Sequence, residues 1–462
     1  MEFIIQEITN KIISNFEKDL EKLIRERRDI SDFILATKRT LDEVGADLVA
    51  EALEIVNQVY RNSKERKKYW KIKEKAAKKT LTTIFGEVRY ERTYYQNKKT
   101  GEYSYLSDEA VGIEAHDKID ASLKVKLIED AIYTSYGRSG KEASKAVELT
   151  SQTVMNSIRE LGSVSNNALE IRLDKKRVKI LYIEADEDHV PLQDKGKAEP
   201  KLVYVHEGKI QVSKGRWKLI NPRYFSGVYA NSDELWIEVS DYIDKAYDLD
   251  RIEKIYLSGD GAPWIKNGLG WIKGSIYVLD RYHLTKYITQ ATAHMEHTTS
   301  IMWDYINAGD KKSVRELLNA IISATESDTK REAVLEARRY ILGNWEGIMS
   351  QYDVDYVGCS AEGHVSHILS SRLSSRPLGW CKTGVDQMSR LRAFAANGGN
   401  VYELFMKQKK AIAKKARNLK IDQEIIRKRQ LKSSHETIGN ITVLNIGKRT
   451  WAHEFLKSIR DA

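Results

Sequence analysis

The sequence predicts an α/β protein with a mixed sheet at its centre and helical regions on both sides of it. Between residues 175 and 284, apolar runs of strand length alternate with a helical pattern, and two runs end in an aspartate, at Asp260 and Asp280. Before and after this region, apolar residues recur at three-to-four spacing. The 462 residues, 41% of them hydrophobic, can form several domains with their own cores.

Residues 1–80 are predicted to be helical and basic. Apolar residues from Phe3 to Val59 follow a helical period, which fits either a helical pair packed on the body or a dimerisation helix. The segment Lys64–Lys79 holds nine Lys and Arg against two acids, and Lys407–Lys432 holds eleven against two, within a basic helical tail over 401–462. A solvated helix face explains either block alone, but with a net charge of +10 the two together favour a DNA backbone as partner.

The next two segments are predicted to be a small β-hairpin over 81–120 and a helix-turn-helix-like region over 121–174. The helix-turn-helix prediction places short helices at about 141–148 and 151–161, with Thr150 or Ser151 as N-cap. The second helix carries Gln152 and Arg159, which would contact DNA if this helix enters a major groove. Ordinary helix packing is the alternative.

The order of elements then predicts a ribonuclease H-like core. Strands are expected at 178–185, 201–206 and 223–230, followed by a helix at 233–247 and by the strands that end at Asp260 and Asp280. In this fold the first and fourth strands are adjacent. The core is predicted to cover 175–284 and 358–400, and the helical pattern over 285–357 is predicted to be an inserted all-helical subdomain.

Acidic residues at strand ends predict a metal site. Asp186 follows the first strand, Asp260 follows the fourth, and Glu362 opens a helix-like segment after the insertion. Carboxylates in such positions can hold two divalent ions for phosphoryl transfer. Asp188 is an alternative to Asp186, and each aspartate alone could be a turn former. A zinc site is a weaker alternative because its four candidate ligands lack the spacing of a known finger: Cys359, His364, His367 and Cys381.

Three motifs resemble a DDE transposase of bacterial insertion sequences, and more narrowly the ISLre-two group, which is similar to Mutator-like transposases with a helical insertion before the final glutamate. The motifs are Gly259-Asp260-Gly261-Ala262-x-Trp264-Ile265, then Asp280-Arg281-Tyr282-His283, and finally Glu362-Gly363-His364-Val365-Ser366-His367 followed by Ser374-Ser375-Arg376-Pro377. The resemblance covers nearly the whole chain.

The resemblance implies a catalytic triad that is also the ligand set for two Mg²⁺ or Mn²⁺ ions: Asp186, Asp260 and Glu362. It further implies DNA-positioning roles for Asp280, His283, Arg372 and Arg376. The implied activity is binding of the element's terminal inverted repeats, strand cleavage, and transfer of the 3′ hydroxyl to target DNA. A ribonuclease H-like DNA nuclease and a non-catalytic DNA-binding regulator are the alternative functions.

Location and assembly follow from weaker signals. With only two cysteines and no apolar run long enough to span a membrane, the chain is expected to be cytoplasmic, nucleoid-associated when bound to DNA, and to have no membrane partner. A homodimer or higher oligomer on DNA is expected.

Overall fold

The structure is a computed structural model that describes residues 2–144, 147–171, 174–376 and 379–413. It begins with two long helices, α1 (Glu2–Arg25) and α2 (Ile30–Asn62), and the short α3 (Lys64–Tyr69). Asp29 caps α2, because its side chain accepts a hydrogen bond from the backbone N–H of Ser31. The long helices contact each other, for example through the ion pair of Lys11 with Asp47 at 2.7 Å. Many of their large apolar side chains are nevertheless exposed, among them Ile24, Ile34, Leu41 and Val59.

A long hairpin follows, formed by β1 (Trp70–Thr83) and β2 (Gly86–Asn97), with β3 (Tyr103–Ser104) beside β2. The hairpin therefore begins at Trp70, within the region predicted to be helical and basic, rather than at residue 81. Along the second half of β1 every other side chain is buried, while Lys78 is exposed. The basic segment Lys64–Lys79 is therefore divided between the helix α3 and the strand β1, and it does not form a single helix face. The short α4 (Leu106–Ala110) contributes Asp108, whose buried carboxylate bonds the side chains of Tyr90 and Arg92.

Three helices come next: α5 (Ala121–Tyr133), α6 (Tyr136–Glu142) and α7 (Ser151–Leu161). The first of the two predicted short helices lies at 136–142 instead of 141–148, because Ser135 caps it by accepting a hydrogen bond from the N–H of Arg138. The second is confirmed at 151–161, and Thr150 is its N-cap. All three helices pack against one another.

The central region contains the strands β4 (Ile180–Glu187), β5 (Val190–Pro191), β6 (Lys197–Ala198), β7 (Lys201–His206), β8 (Lys209–Ser213), β9 (Arg216–Leu219) and β10 (Arg223–Gly227). They are followed by α8 (Ser232–Ala246), β11 (Lys254–Gly259), α9 (Pro263–Lys266), α10 (Gly268–Trp271) and β12 (Ser275–Leu279). Five of these strands form one mixed sheet in the order β10-β7-β4-β11-β12.

Strand direction in this sheet matters for the site. The strands β4, β11 and β12 are parallel, while β7 is antiparallel to both β4 and β10. The adjacency of β4 and β11 agrees with the expected pairing of the first and fourth strands. One face of the sheet packs on α8 through Leu181, Ile183 and other buried apolar residues. Because side chains alternate along a strand, Tyr182, Glu184 and Asp186 lie on the opposite face.

Helices occupy the predicted insertion: α11 (Arg281–Thr292), α12 (Thr298–Asn307), α13 (Lys311–Ala324), α14 (Asp328–Gly343) and α15 (Trp345–Met349). They bury a core that includes Leu284, Leu318 and Ile341, and Leu279 of β12 packs into the same core. After it come α16 (Ala361–Val365), a π-helical turn at 366–370, α17 (Ser371–Leu373) and α18 (Lys382–Ala396).

Residues 402–462 form a separate unit, of which residues 402–413 are described and are helical. Residues 414–462 of the predicted basic helical tail, which include most of the block Lys407–Lys432, lie outside the described residues, as does Pro377. Over the described part of the chain, no helix combines the length and apolar character needed to cross a membrane.

Candidate functional site

Three aspartates lie in one row at the carboxyl ends of three adjacent parallel strands. Ser258 on β11 pairs with Glu184 on β4, so Asp260 and Asp186 follow two residues later on the same face. Gly259 pairs with Leu279 on β12, which brings Asp280 beside Asp260, and the Asp280 N–H donates to the Gly259 carbonyl at 2.8 Å. Parallel strands thus gather side chains that are up to 94 positions apart in the sequence, from Asp186 to Asp280.

Local turns hold Asp260 in place. Its Oδ1 accepts a hydrogen bond from the N–H of Ala262 at 2.8 Å, and its backbone carbonyl accepts one from the hydroxyl of Tyr340. Gly261 has a φ of 94°, a backbone conformation that favours glycine, and a side chain there would contact Asn344. Gly261 of the Gly-Asp-Gly motif therefore serves the turn, and the helical insertion helps to support this turn through Tyr340.

Asp280 is the N-cap of α11, since its side chain accepts from the N–H of Tyr282. Its other oxygen lies 2.9 Å from Nδ1 of His283, so the predicted pair at i and i+3 is formed. This hydrogen bond raises the pKa of His283, although burial opposes the shift, and the charges of Asp186 and Asp260 raise it further. His283 thus lies within the electrostatic reach of the acidic row.

Glu362 comes from a different part of the chain. It lies on the exposed side of α16, whose buried residues are Ala361 and Val365. The helix continues into the π-helical turn at 366–370, where Ile368 and Leu369 are buried, as expected for a segment that packs by its apolar face. Such π-helical turns are frequent at functional sites.

The carboxylates influence one another. Asp186 is 7% exposed, and its pKa is raised to about 7, first by burial and then by the negative charges of Asp260 and Glu362. The N–H of Glu187 and the charge of His283 act in the opposite direction without cancelling the shift. The predicted triad is therefore brought into one electrostatic neighbourhood.

The donor chemistry of this neighbourhood fits a divalent cation, because it offers oxygen ligands whose mutual repulsion a cation would relieve. In the described residues, however, no group of three or more His, Cys, Asp or Glu is arranged to hold an ion. This finding covers both the magnesium triad and the four predicted zinc ligands. Of the latter, His364 contacts Tyr204 instead, at 3.1 Å from Nδ1 to the hydroxyl.

A buried carboxylate that the sequence analysis missed anchors the start of α16. Glu184 is 1% exposed and bonds His206 Nε2 at 2.9 Å, the hydroxyl of Tyr204, and both the N–H and the hydroxyl of Ser360. Burial alone would raise the pKa of Glu184, but the hydrogen bond from His206 and the nearby charge of Lys209 hold it at about 2. The sequence does contain a feature that points to Glu184, because this ionisable residue interrupts an apolar strand two positions before Asp186.

The other predicted site residues occupy mixed positions. Gln152 and Arg159 are both exposed on α7, and Arg376 is exposed as well. Arg372 is 5% exposed, donates to the carbonyl of Ala131 at 2.8 Å, and lies over aromatic rings, so in this conformation it packs α17 against α5. Asp188 accepts a hydrogen bond from the hydroxyl of Ser374 at 2.8 Å, and it is not among the five strongest influences on the pKa of Asp186.

The fold and the site define an α/β protein whose mixed sheet presents an acidic row beside a helix-borne glutamate. The chain belongs to the uncharacterised protein family UPF0236, whose family model matches residues 5–410. It is 44% identical over 444 residues to a UPF0236 protein of Caldanaerobacter subterraneus subsp. tengcongensis, covering 95% of this chain and 94% of that one. A second UPF0236 protein of this organism is 41% identical over 467 residues, covering 99% and 98%.

A more distant relative, a UPF0236 protein "in vanSb 3' region" of Streptococcus gallolyticus, is 28% identical over 401 residues, covering 82% and 86% of the two chains. The names of the Caldanaerobacter relatives combine several gene loci, four in one case and eleven in another. The family therefore has many paralogues in one genome, which is consistent with repeated mobile-element proteins.

Proposed function

We propose that the protein is a DDE-type transposase of an insertion sequence, with a ribonuclease H-like catalytic core. The observation that carries the proposal is the position of Asp186 and Asp260 at the ends of adjacent parallel strands, with Glu362 near enough to raise the pKa of Asp186. The mixed sheet with three parallel strands and a helical insertion before Glu362 supports the same reading. Many gene copies in one relative's genome also suit a mobile element.

In this proposal Asp186, Asp260 and Glu362 would hold two Mg²⁺ or Mn²⁺ ions. When bound, such ions supply activation of the attacking oxygen and charge stabilisation at the leaving oxygen. The chain's own contribution is to fix the strand-borne carboxylates by turns and to deliver Glu362 on α16. His283, paired to Asp280, would contact a DNA phosphate beside the acidic row.

DNA recognition is proposed for the three-helix unit and the basic hairpin. Gln152 and Arg159 lie exposed on α7, where they would contact base edges if this helix enters a major groove. The exposed cations of β1 would contact phosphates. The exposed apolar residues of α1 and α2 support a homodimer or higher oligomer, in a protein that is proposed to work in the cytoplasm on nucleoid DNA.

The test is divalent-metal-dependent cutting and joining of DNA that carries the element's own ends. Asp260→Asn should abolish both reactions and leave end binding intact, because it removes a ligand charge and keeps the side-chain shape. Asp250→Asn, at an exposed position outside the site, is the matched control. Cutting without joining would indicate a nuclease, and binding without cutting would indicate a regulator.

The first ligand can be identified in the same assay. Asp186→Asn should eliminate cutting, whereas Asp188→Asn should retain part of it, because Asp188 accepts a hydrogen bond from Ser374 and is not among the strongest influences on the pKa of Asp186. The opposite ranking would make Asp188 the ligand.

The salt dependence of binding tests the basic hairpin. Replacing Lys71, Lys73 and Lys75 by Gln should reduce the slope of log K against log salt by about 1 for each lysine that contacts a phosphate. The same change at three exposed lysines elsewhere is the control: Lys179, Lys245 and Lys312. Equal slopes for both triple variants would assign the β1 lysines to the solvated surface.

A further inference from the structure

The ribbon formed by β8 and β9 projects from the sheet between β7 and β10. Its segment 208–219 contains four cations and no acid. Lys209 donates a hydrogen bond to the carbonyl of Gly358 at 2.6 Å and forms an ion pair with Glu184. Within the described residues, Lys214, Arg216 and Lys218 form no ion pair. The residues from Ile210 to Lys218 are exposed, including large apolar ones. Such a ribbon attracts a polyanion and offers it apolar surface.

A cavity of about 680 Å³ lies between this ribbon and the start of α16. The ribbon contributes Trp217 and Lys218, β10 contributes Tyr224, and α16 contributes His364. Trp217 is 59% exposed, whereas Tyr224 is 7% exposed and its ring centroid lies 5.8 Å from that of His364. The volume falls within the usual range of small-ligand pockets, and aromatic rings form two of its sides.

The cavity is lined in part by the helix that carries Glu362. His364 is two residues after Glu362 on the same short helix, and Ser360, which also lines the cavity, bonds the buried Glu184. A group bound here would therefore lie next to the helix that carries Glu362.

We propose that this cavity binds an unpaired nucleotide at the end of a DNA strand. Aromatic rings stack on any base, which makes such a site tolerant of sequence, and the free cations of the ribbon are suited to the flanking phosphates. A DNA duplex is too wide for a cavity of this volume, so the base must be unpaired. The inference rests on the proposed function, since it takes the strand end next to the helix that carries Glu362 to be the reacting one.

The test compares end-sequence duplexes with and without a short single-stranded tail, bound by the full-length chain in the absence of divalent metal. The wild-type protein should bind the tailed DNA more tightly. Trp217→Ala should weaken tailed-DNA binding by roughly 5- to 150-fold, the range expected for loss of one stacked base, and leave blunt-duplex binding unchanged. Trp217 is mostly exposed, so this variant should fold.

The matched control is Trp271→Ala, at an exposed tryptophan that lies outside the cavity and bonds Asp233. A photoreactive base in the tail should in addition crosslink to Trp217 or Tyr224. Equal affinity of wild type and Trp217→Ala for tailed DNA, or crosslinks only elsewhere, would overturn the inference. Because tail binding is measured without metal, the two proposals can fail separately. If the wild-type protein cuts DNA but Trp217→Ala binds the tail as tightly as wild type, only the inference is refuted. If the wild-type protein binds the tail through Trp217 but does not cut DNA, only the proposed function is refuted.

Discussion

The buried carboxylate of Glu184 offers a quantitative prediction. Glu184→Gln keeps the side-chain volume and removes the charge that His206, Tyr204 and Ser360 surround. An amide has one acceptor oxygen in place of two, and its NH₂ group would face donors. Breaking a buried charged pair on one side costs about 3–5 kcal/mol, and a hydrogen bond to a charged group contributes about 1.5–3 kcal/mol.

We therefore expect Glu184→Gln to lose about 3–5 kcal/mol of stability, with a melting temperature lower by roughly 4–6 °C because Glu184 lies in a large compact unit, Met1–Val401. Thermal unfolding followed by circular dichroism would measure it, with Glu253→Gln, at a side chain that is 63% exposed, as the control with little change. A double-mutant cycle with Ser360→Ala should reveal coupling between the two residues. A melting temperature within about 2 °C of wild type would refute the view that this network stabilises the fold and anchors α16.

Further predictions concern the site and its packing. Glu362→Gln should change unfolding free energy by about 1 kcal/mol or less, since Glu362 is exposed, and should eliminate metal-dependent cutting; retained cutting would move the third carboxylate elsewhere. Gly268→Ala should destabilise by about 1–3 kcal/mol, because the added carbon would lie 2.7 Å from the ring of Trp236, while Gly270→Ala meets nothing within 4 Å and is the control in urea unfolding. Arg372→Ala should lower the melting temperature even without DNA, through the lost bond to Ala131 and lost ring contacts; an unchanged value would free Arg372 for DNA binding.

Strands with strong local signals could be predicted from the sequence. The apolar runs before Asp186, Asp260 and Asp280 form β4, β11 and β12 close to the expected bounds, because burial on both faces demands apolar side chains. The strand β1 was missed since its exposed side is rich in lysine. The β8–β9 ribbon was missed for a related reason, because nearly all its residues face solvent and no periodic burial marks it.

The sequence by itself determined where the carboxylates lie along the chain, which of them end strands, and that a helical segment separates Glu362 from the rest. Only the tertiary structure decided that Asp186, Asp260 and Asp280 form one row, that the charge of Glu362 acts on Asp186, and that Arg372 is buried. The physical reason is that a run of apolar residues reports its own burial, whereas strand order and register are set by packing between segments far apart in the chain. The role of Glu184 depends on that packing too, because its partner Ser360 follows it by 176 residues.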